Sequence, residues 1–299
     1  MTRYNHLNEY LKNKFGERVL KICIDGGFTC PNRINNSGCI FCGENGAGDL
    51  IKGKCKNSLL SIKNQVETFL YSYRGERANK FIAYFQSFSG TFDTIDNLRK
   101  KYNSALQVSD KIVGLQIATR PDLINTEIIN LLKEFKHKYY VCVELGLQTA
   151  NDEIGKILNR GYTTQDFLTA TKLLRENDID VVGHMMIGLP GESLEDILKT
   201  VEVINNCNGI KIHSTYILKN TTLEKMYLEE KYQPLSLDYY TEMVGLVIKN
   251  LNKDIVIHRI NGDPPKDKLV APDWTLRKKI VLNKINKYLE EQDIKQGCL

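Results

Sequence analysis

The stretch Cys30-Pro31-Asn32-Arg33-Ile34-Asn35-Asn36-Ser37-Gly38-Cys39-Ile40-Phe41-Cys42 contains three cysteines, with eight residues in the first gap and two in the second. The two-residue gap lets one short turn aim the sulfurs of Cys39 and Cys42 at a single metal centre. The proline, asparagines, serine and glycine in the longer gap favour a loop that folds back and brings Cys30 to the same place. The stretch therefore predicts a metal site in a loop.

Three cysteine thiolates complete neither a structural zinc site nor an ordinary four-cysteine iron–sulfur cluster. A cluster held by three cysteines leaves one iron open to a ligand that the protein does not supply. The alternative is a structural zinc ion with Cys23 or Cys55 as its fourth ligand. The spacing by itself leaves both interpretations open.

Strand-like and helix-like stretches alternate around this loop and give at least six β/α units. The predicted strands are Val19–Ile24, Lys80–Gln86, Ile112–Ala118, Tyr139–Leu145, Asp180–Ile187 and Ile210–Tyr216. The predicted helices among them are Leu59–Tyr73, Phe92–Val108, Thr126–Phe135, Asp152–Leu158, Thr164–Asn177 and Leu194–Asn205. This alternation predicts a parallel sheet with right-handed crossovers.

The predicted fold class is therefore α/β, as a partial (β/α)6 TIM-like barrel with a C-terminal α-rich extension. An open doubly wound sheet of the dinucleotide-binding type is disfavoured, because no Gly-x-Gly-x-x-Gly motif follows the first strand. We expect a basic N-terminal segment at 1–16 and the partial barrel at 17–216, with the cysteine loop at 25–57. Residues 217–299, which include a short strand at Ile255–Ile260, are expected to form an extension packed on the core.

Polar or glycine-containing residues follow the second to sixth predicted strands, which is where a barrel places its functional groups. The segments are Gln86–Thr91, Ala118–Asp122, Glu144–Thr149, Gly183–Glu192 and Lys211–Ser214. From them we take His184, Lys211 and His213 as candidate catalytic residues. For His213, as for His258, a purely structural role is an equally good interpretation.

The charge of the chain is concentrated at its two ends. The formal net charge is +5, and residues 1–63 carry ten Lys/Arg against five Asp/Glu. Residues 266–299 carry eight Lys/Arg against five Asp/Glu. Two basic ends around a metal loop suit a polyanion such as RNA, although a solvated lysine-rich surface would have the same composition.

The sequence contains neither a signal-peptide-like apolar segment at its start nor a run long enough to span a membrane. Its eight cysteines are therefore expected to be thiols and ligands and not disulfides. A reducing cytoplasm is the expected setting.

Together these motifs resemble the radical S-adenosylmethionine (SAM) superfamily. The usual cysteine spacing there is three residues and then two, whereas the wider first gap here is similar to the YhcC/YtqA branch and the elongator catalytic subunit. The strand-end segments Ala118–Asp122, Glu144–Gln148 and His184–Gly191 are similar to those of this branch. Arg259-Ile260-x-Gly262-Asp263 and Leu269-Val270-Ala271-Pro272-x-Trp274 resemble YhcC/YtqA in particular. The resemblance covers roughly residues 15–290.

The resemblance implies a [4Fe–4S] cluster on Cys30, Cys39 and Cys42, with SAM on the open iron. Reductive cleavage of SAM then gives a 5′-deoxyadenosyl radical that takes a hydrogen atom from the substrate. By motif position Phe41 lies against the adenine, with Arg33 also beside the cofactor, and Arg160 pairs with the SAM carboxylate. The other implied SAM contacts are Gln86, Ser89, Gln116, Gln148, His184 and Leu189.

The resemblance also implies a substrate. The YtqA branch is associated with wobble-uridine side chains of tRNA, and the resemblance implies conversion of 5-carboxymethylaminomethyl-uridine to 5-aminomethyl-uridine. The implied partners are tRNA and a reductant such as flavodoxin or ferredoxin, and the oligomeric state is not predicted. Expected RNA contacts are Tyr4, Tyr10, Lys12, Lys14, Lys52, Lys54 and Lys56.

Two other functions remain open at this point. One is a radical SAM enzyme that acts on a small metabolite or a protein. The other is a non-enzymatic, zinc-containing RNA-binding module. The zinc module would contain no iron, which separates it from a radical SAM enzyme. Salt-sensitive tRNA binding separates a tRNA-modifying enzyme from one that acts on a metabolite or a protein.

Overall fold

A seven-stranded parallel sheet forms the centre of the computed structural model, which describes residues 3–34, 36–44, 46 and 59–298. The strands of this sheet, in chain order, are β1 (Val19–Ile24), β2 (Lys80–Phe85), β3 (Ile112–Thr119), β4 (Tyr140–Gln148), β5 (Asp180–Ile187), β6 (Gly209–Ser214) and β8 (Val256–Arg259). Each strand pairs in parallel with the next in that order. The sheet curls into a half-barrel.

Helices alternate with the strands as the sequence predicts. They are α1 (Leu7–Phe15), α2 (Pro31–Ile34), α3 (Leu59–Leu70), α4 (Ile95–Leu106), α5 (Thr126–Lys136), α6 (Asp152–Ile157), α7 (Thr164–Glu176), α8 (Leu194–Ile204), α9 (Thr222–Leu228), α10 (Leu237–Asn250) and α11 (Lys278–Glu291). A small antiparallel pair, β7 (Ile217–Leu218) and β9 (Leu269–Ala271), lies outside the main sheet. The predicted α/β half-barrel is confirmed.

Helix starts follow from local sequence. Thr163 caps α7 in a capping box with Asp166, and Ser193 caps α8 in the same way with Asp196. Each pair satisfies backbone N–H groups that a helix leaves without partners in its first turn. These caps fix the residue at which each helix begins, and therefore the length of the loop between it and the preceding element.

The core lies between the sheet and its helices. Phe85, Tyr102 and Phe167 are among the fully buried side chains, and the rings of Phe85 and Tyr102 lie 5.3 Å apart. Burying one such side chain contributes about 2–3 kcal/mol. Because this core holds the strands in register, the side chains at their carboxyl ends keep fixed positions.

The sheet has one strand more than the sequence predicts. β8 lies in the predicted C-terminal extension, yet it pairs with β6 through Gly209 with Val256 and Ile210 with Ile257. The intervening helices α9 and α10 act as one more crossover, and Ile257 is buried. Four residues give too little periodicity to assign a strand to a sheet from sequence.

No helix in the described part of the chain is both long enough and apolar enough to cross a bilayer.

Candidate active site

A cavity of about 1360 Å³ opens over the carboxyl ends of the parallel strands. Its lining brings together ten of the thirteen residues that the sequence analysis assigned to a site. They are Cys30, Cys39, Phe41, Cys42, Gln86, Ser89, Gln148, His184, Lys211 and His213. Gln116, Arg160 and Leu189 are not among the described residues that line it.

The cysteine end of the cavity, which we define as Cys30, Cys39, Phe41, Cys42 and Arg120, is built mainly from the loop after β1. α2 starts directly after Cys30, and the backbone N–H of Cys42 donates to the carbonyl of Cys39 at 3.0 Å. This is the short turn that the two-residue spacing predicts.

The turn after α6 holds the cysteine loop in place. The backbone N–H of Ile40 donates to the Leu158 carbonyl at 3.1 Å, and the Asn159 amide donates to the Gly38 carbonyl at 2.7 Å. The Asn32 amide donates to the Asn159 carbonyl at 2.7 Å and lies 3.7 Å from the Cys39 sulfur. The loop is therefore fixed by contacts distant in sequence.

The Arg33 guanidinium also closes the loop, because it donates to the carbonyls of Cys42, at 2.8 Å, and of Gly43. Arg33 is thus bonded to the loop that carries the cysteines. Sequence reasoning expected it beside the cofactor.

The three thiols influence one another electrostatically. The pKa of the Cys39 thiol is raised to about 12, mainly by burial and also by the neighbouring Cys42 and Cys30, while Arg120 acts in the opposite direction. A cationic metal centre among the three sulfurs would lower the pKa of these thiols and favour the thiolates.

The placement of the metal-ligating side chains distinguishes the two metal alternatives. Among the described residues, no three His, Cys, Asp or Glu side chains are placed to hold one metal ion. A four-iron cubane takes each cysteine on a different iron, so it needs a wider arrangement than one zinc ion does. Three thiols on one cavity wall fit the cluster better than the zinc ion.

Arg160 is placed differently from its prediction. It is only 1% exposed, and its guanidinium donates to the carbonyls of Leu147, Thr149 and Tyr162 at 2.5, 2.7 and 2.9 Å. It also pairs with Asp152 at 2.8 Å. These bonds tie the end of β4 to the loop before α7, which gives Arg160 a structural role at odds with a SAM contact.

Arg120 is the arginine that lines the cavity at the cysteine end. Its guanidinium forks onto Asp122 at 2.9 and 2.8 Å and donates to the Arg160 carbonyl at 2.9 Å. It also lies over the Tyr162 ring. Sequence reasoning quoted Thr119-Arg120-Pro121-Asp122 as a motif but assigned none of its side chains; the strand-end position was the signal.

A buried carboxylate organises the inner part of the cavity. The Glu144 carboxylate is 0% exposed and accepts hydrogen bonds from Lys211 Nζ at 2.5 Å, His184 Nε2 at 2.9 Å and the Tyr84 hydroxyl. Its other oxygen accepts from the Gln116 amide at 2.5 Å and lies 3.6 Å from Lys21 Nζ. We call Lys21, Tyr84, Gln116, Glu144, His184 and Lys211 the Glu144 cluster.

Sheet register assembles this cluster from six strands. Tyr84 pairs with Gln116 across β2 and β3, and His184 pairs with Lys211 across β5 and β6. Because alternate side chains of a strand face the same way, one residue from each strand reaches the same level inside the half-barrel. Gln116 therefore lies beneath the cavity, bonded to Glu144, and not on its wall.

The charges of the cluster shift one another. Burial alone would raise the pKa of the Glu144 carboxyl, but Lys211, His184 and Lys21 more than offset this, and that pKa lies well below its usual range. Burial lowers the pKa of the Lys211 ammonium to about 8, although Glu144 acts against this. Lys211 is therefore mostly protonated at neutral pH and loses its proton at a pH only slightly higher.

The neighbouring histidines are neutral at physiological pH. Burial lowers the pKa of His184 despite Glu144, and burial together with His184 holds the pKa of His213 well below its usual range. Their rings lie 5.4 Å apart. Both therefore offer ring nitrogens to a ligand without adding positive charge.

Two further predicted contacts are explained by their surroundings. Gln148 lines the cavity with a φ of 60°, and its side-chain oxygen accepts from the Tyr162 hydroxyl at 2.8 Å. Leu189 is buried against Ile40 and Leu158, in the apolar cluster on which Phe41 packs. Leu189 therefore supports the cysteine loop from behind.

This chain belongs to the radical SAM superfamily. The superfamily's sequence model matches residues 28–204, and the model of the Radical_SAM C-terminal domain matches residues 207–291. The match confirms the predicted cofactors, SAM and a [4Fe–4S] cluster, and decides against the non-enzymatic zinc module.

The chain is similar over nearly its whole length to the uncharacterized protein YtqA of Bacillus subtilis strain 168. The two are 35% identical over 303 residues, which cover 99% of this chain and 92% of YtqA. The chain is 26% identical to the tRNA uridine(34) acetyltransferase of Methanocaldococcus infernus, over 69% of this chain and 40% of that protein.

A solved structure confirms the fold. The archaeal Elp3 of Methanocaldococcus infernus, with an N-terminal deletion, superposes with a TM-score of 0.68 at 20% identity, over 93% of this chain and 64% of that one.

Proposed function

We propose that this chain is a tRNA-modifying radical SAM enzyme that converts 5-carboxymethylaminomethyl-uridine at the wobble position to 5-aminomethyl-uridine. The observation that carries the proposal is the single cavity in which the three cysteines face the Glu144 cluster. The tRNA substrate is supported by the similarity to a tRNA uridine(34) acetyltransferase across two thirds of the chain.

The cysteine end would hold the cofactors. Cys30, Cys39 and Cys42 would bind the cluster, and when bound the cluster and SAM supply a radical that abstracts hydrogen. Phe41, Gln148 and Arg120 are the residues of this chain best placed to orient SAM, since all three line the cavity beside the cysteines. Gln86, Ser89 and His184 remain proposed SAM contacts on the strand ends.

The Glu144 cluster would face the substrate. Lys211 and His213 line the cavity and stay the proposed substrate-side residues; Lys211 bonds directly to Glu144, and His213 lies beside His184. Glu144 is buried and both its oxygens accept hydrogen bonds, which holds the side chains around it in place before a substrate enters.

The expected RNA contacts divide into three groups, of which the first is Tyr4, packed against the main core ahead of α1, and the second is Tyr10, Lys12 and Lys14 on α1. Tyr10 bonds to Asp180 at 3.3 Å, and Lys14 lies over the Tyr140 ring, so α1 packs at the amino ends of β4 and β5, opposite the cavity. This placement is at odds with contacts from α1 to a base in the cavity. Lys52, Lys54 and Lys56 lie outside the described residues.

We propose the cavity rim as an alternative surface for RNA. Tyr71 and Tyr73 are 86% and 77% exposed, and Tyr73 and Arg74 line the cavity. Exposed aromatic rings beside an arginine are a stacking platform for unpaired bases. We therefore place the anticodon loop on this rim, with a flipped-out base entering the cavity.

The test uses anaerobically reconstituted enzyme, SAM, a reductant such as flavodoxin or ferredoxin, and tRNA that carries 5-carboxymethylaminomethyl-uridine. We expect 5′-deoxyadenosine and 5-aminomethyl-uridine to accumulate together, measured by mass spectrometry of nucleosides. Persistence of the carboxymethylaminomethyl nucleoside, in enzyme that cleaves SAM, would contradict the proposed reaction. Radical chemistry on an added metabolite or protein would then be the alternative.

A further inference from the structure

The described residues that line the cavity carry more positive than negative charge. The acidic ones are Glu144 and Asp263. The cationic ones are Lys21, Arg74, Arg120, Lys211, Arg259 and Lys278. A cavity with this imbalance and low-dielectric walls concentrates anions.

The excess charge is densest around Glu144. Lys211 Nζ lies 2.5 Å and Lys21 Nζ 3.6 Å from the Glu144 carboxylate, with only 8% and 17% of their side chains exposed. One carboxylate cannot offset two ammonium groups that have both left water. The histidines of this region do not change the balance, because their neutral forms are favoured.

Arg259 extends this charge to the edge of the sheet. It pairs with Lys211 across β6 and β8, and its guanidinium lies 3.4 Å from Asp263. Asp263 is also paired with Lys278 at 3.0 Å. Arg259 therefore shares its acidic neighbour, Asp263, with Lys278. We call Lys21, Lys211 and Arg259 the cation wall.

We propose that the cation wall is a carboxylate-binding subsite for the substrate. The inference rests on the proposed function, in which the ligand is the carboxylate of the carboxymethylaminomethyl group. A carboxylate would supply the negative charge that the wall lacks, and guanidinium and ammonium groups are its usual partners. Lys21 and Lys211 are too deeply buried for a bulky anion, which favours a small carboxylate over a backbone phosphate.

The wall is distinct from the cysteine end. Arg120 follows β3 and donates to the Arg160 carbonyl at 2.9 Å, next to the turn that holds the cysteine loop, whereas Lys21, Lys211 and Arg259 project from β1, β6 and β8. A ligand attached to the cluster would place its own carboxylate near Arg120. The cation wall would hold the substrate's carboxylate away from the cluster and leave the adjacent carbon facing the centre of the cavity.

The experiment compares two tRNAs that differ in one group. One carries the natural carboxymethylaminomethyl-uridine, and the other carries its neutral amide. We expect wild-type enzyme to favour the acid roughly 30-fold in kcat/KM and roughly 10-fold in Kd, as charged hydrogen bonds in a dry site allow. Arg259→Gln should reduce the preference to about threefold, because it weakens binding of the acid-carrying tRNA and leaves binding of the amide unchanged.

Lys279→Gln is the matched control, since Lys279 is exposed on α11 and is not among the described lining residues. Any effect of this substitution on Kd should be the same for the two tRNAs. Arg259 is chosen because its side chain is 32% exposed, so its loss should leave the fold intact, as near-ultraviolet circular dichroism would verify. Lys21→Gln is the second variant and should act in the same direction.

Equal Kd values of wild-type enzyme for the acid and the amide would overturn the subsite. A rise in the KM for SAM in Arg259→Gln, with no change in its preference for the acid, would also overturn the subsite, because the wall would then hold SAM. If wild-type enzyme binds the acid preferentially but converts neither tRNA, the subsite stands and the proposed reaction is wrong.

Discussion

The cysteine end and the Glu144 cluster share one cavity, but different parts of the fold hold them. The cysteine loop is fixed from outside, by bonds such as Ile40 N–H to the Leu158 carbonyl. The Glu144 cluster consists of side chains on the inner face of the sheet, each set by strand register. The position of the cysteine end therefore depends on these loop contacts, whereas the position of the cluster depends on the whole sheet.

The largest expected effect is at the cysteine end. Replacing Cys30, Cys39 or Cys42 by alanine should abolish iron binding and lower 5′-deoxyadenosine formation by more than about 1000-fold, because each thiolate is a proposed cluster ligand. Iron content and absorbance near 400 nm measure the cluster directly. Cys23→Ala, on β1 beside the cation wall, is the control and should keep its iron. Loss of iron from that variant would break the division between the two ends.

A second test separates the two arginines near the cysteine end. Arg160→Gln should cost about 3–5 kcal/mol of unfolding free energy, because it leaves the buried carbonyls of Leu147 and Thr149 without their charged donor. Arg120→Gln should cost about 1 kcal/mol and instead raise the KM for SAM. Unfolding in urea, followed by the fluorescence of the one tryptophan, Trp274, gives the stabilities. The reverse order of effects would restore Arg160 as a SAM ligand.

The third prediction concerns pH. Glu144 raises the pKa of Lys211 against the effect of burial, so Glu144→Gln should move that pKa below its value of about 8. If Lys211 acts as a cation, kcat/KM falls as pH rises through its pKa, and the fall should begin at lower pH in the variant. We also expect roughly 100-fold lower kcat/KM, since several donors lose a charged acceptor. Identical pH–rate profiles would show that Lys211 does not act through its charge.

The smallest expected effect compares two buried glutamates. Burial raises the pKa of Glu192 to about 8, and no cation is among the groups that shift it, in contrast to Glu144. Because the folded-state pKa of Glu192 is raised, its stabilising contribution is full below pH 4.5 and is lost as pH rises towards 8.

Glu192→Gln mimics the protonated form, and its amide oxygen can still accept from the Gly188 and Leu189 N–H groups. The variant should therefore gain roughly 2 kcal/mol over wild type between pH 5 and pH 8. Urea unfolding at the two pH values measures this gain. A constant difference between the two proteins would mean that Glu192 is already ionised in the folded state at pH 5.

The two ends also differ in how far sequence predicts them. Three cysteines in one stretch carry their own spacing, so the metal site and its short turn could be predicted. β1 and β5 could be placed to the residue, because both are apolar runs bounded by turn residues.

Lys21 and Tyr84 were missed as site residues, because each is an isolated side chain with a polar group inside an apolar run. Only the register of neighbouring strands shows that they meet at Glu144. The direction of the Arg160 side chain could not be predicted for a related reason, because it depends on carbonyls at the end of β4.

The seventh strand has a consequence for how this chain can be divided. A fragment that stopped at Tyr216 would leave the backbone of Gly209 and Ile210 without the partners that β8 supplies. It would also remove α10, whose Val244 and Ile248 belong to the main core, and would uncover the apolar side chains on which they pack. An exposed, apolar edge strand recruits other chains. Such a fragment should aggregate, which makes residues 217–291 a cover for the sheet edge as well as the source of Arg259.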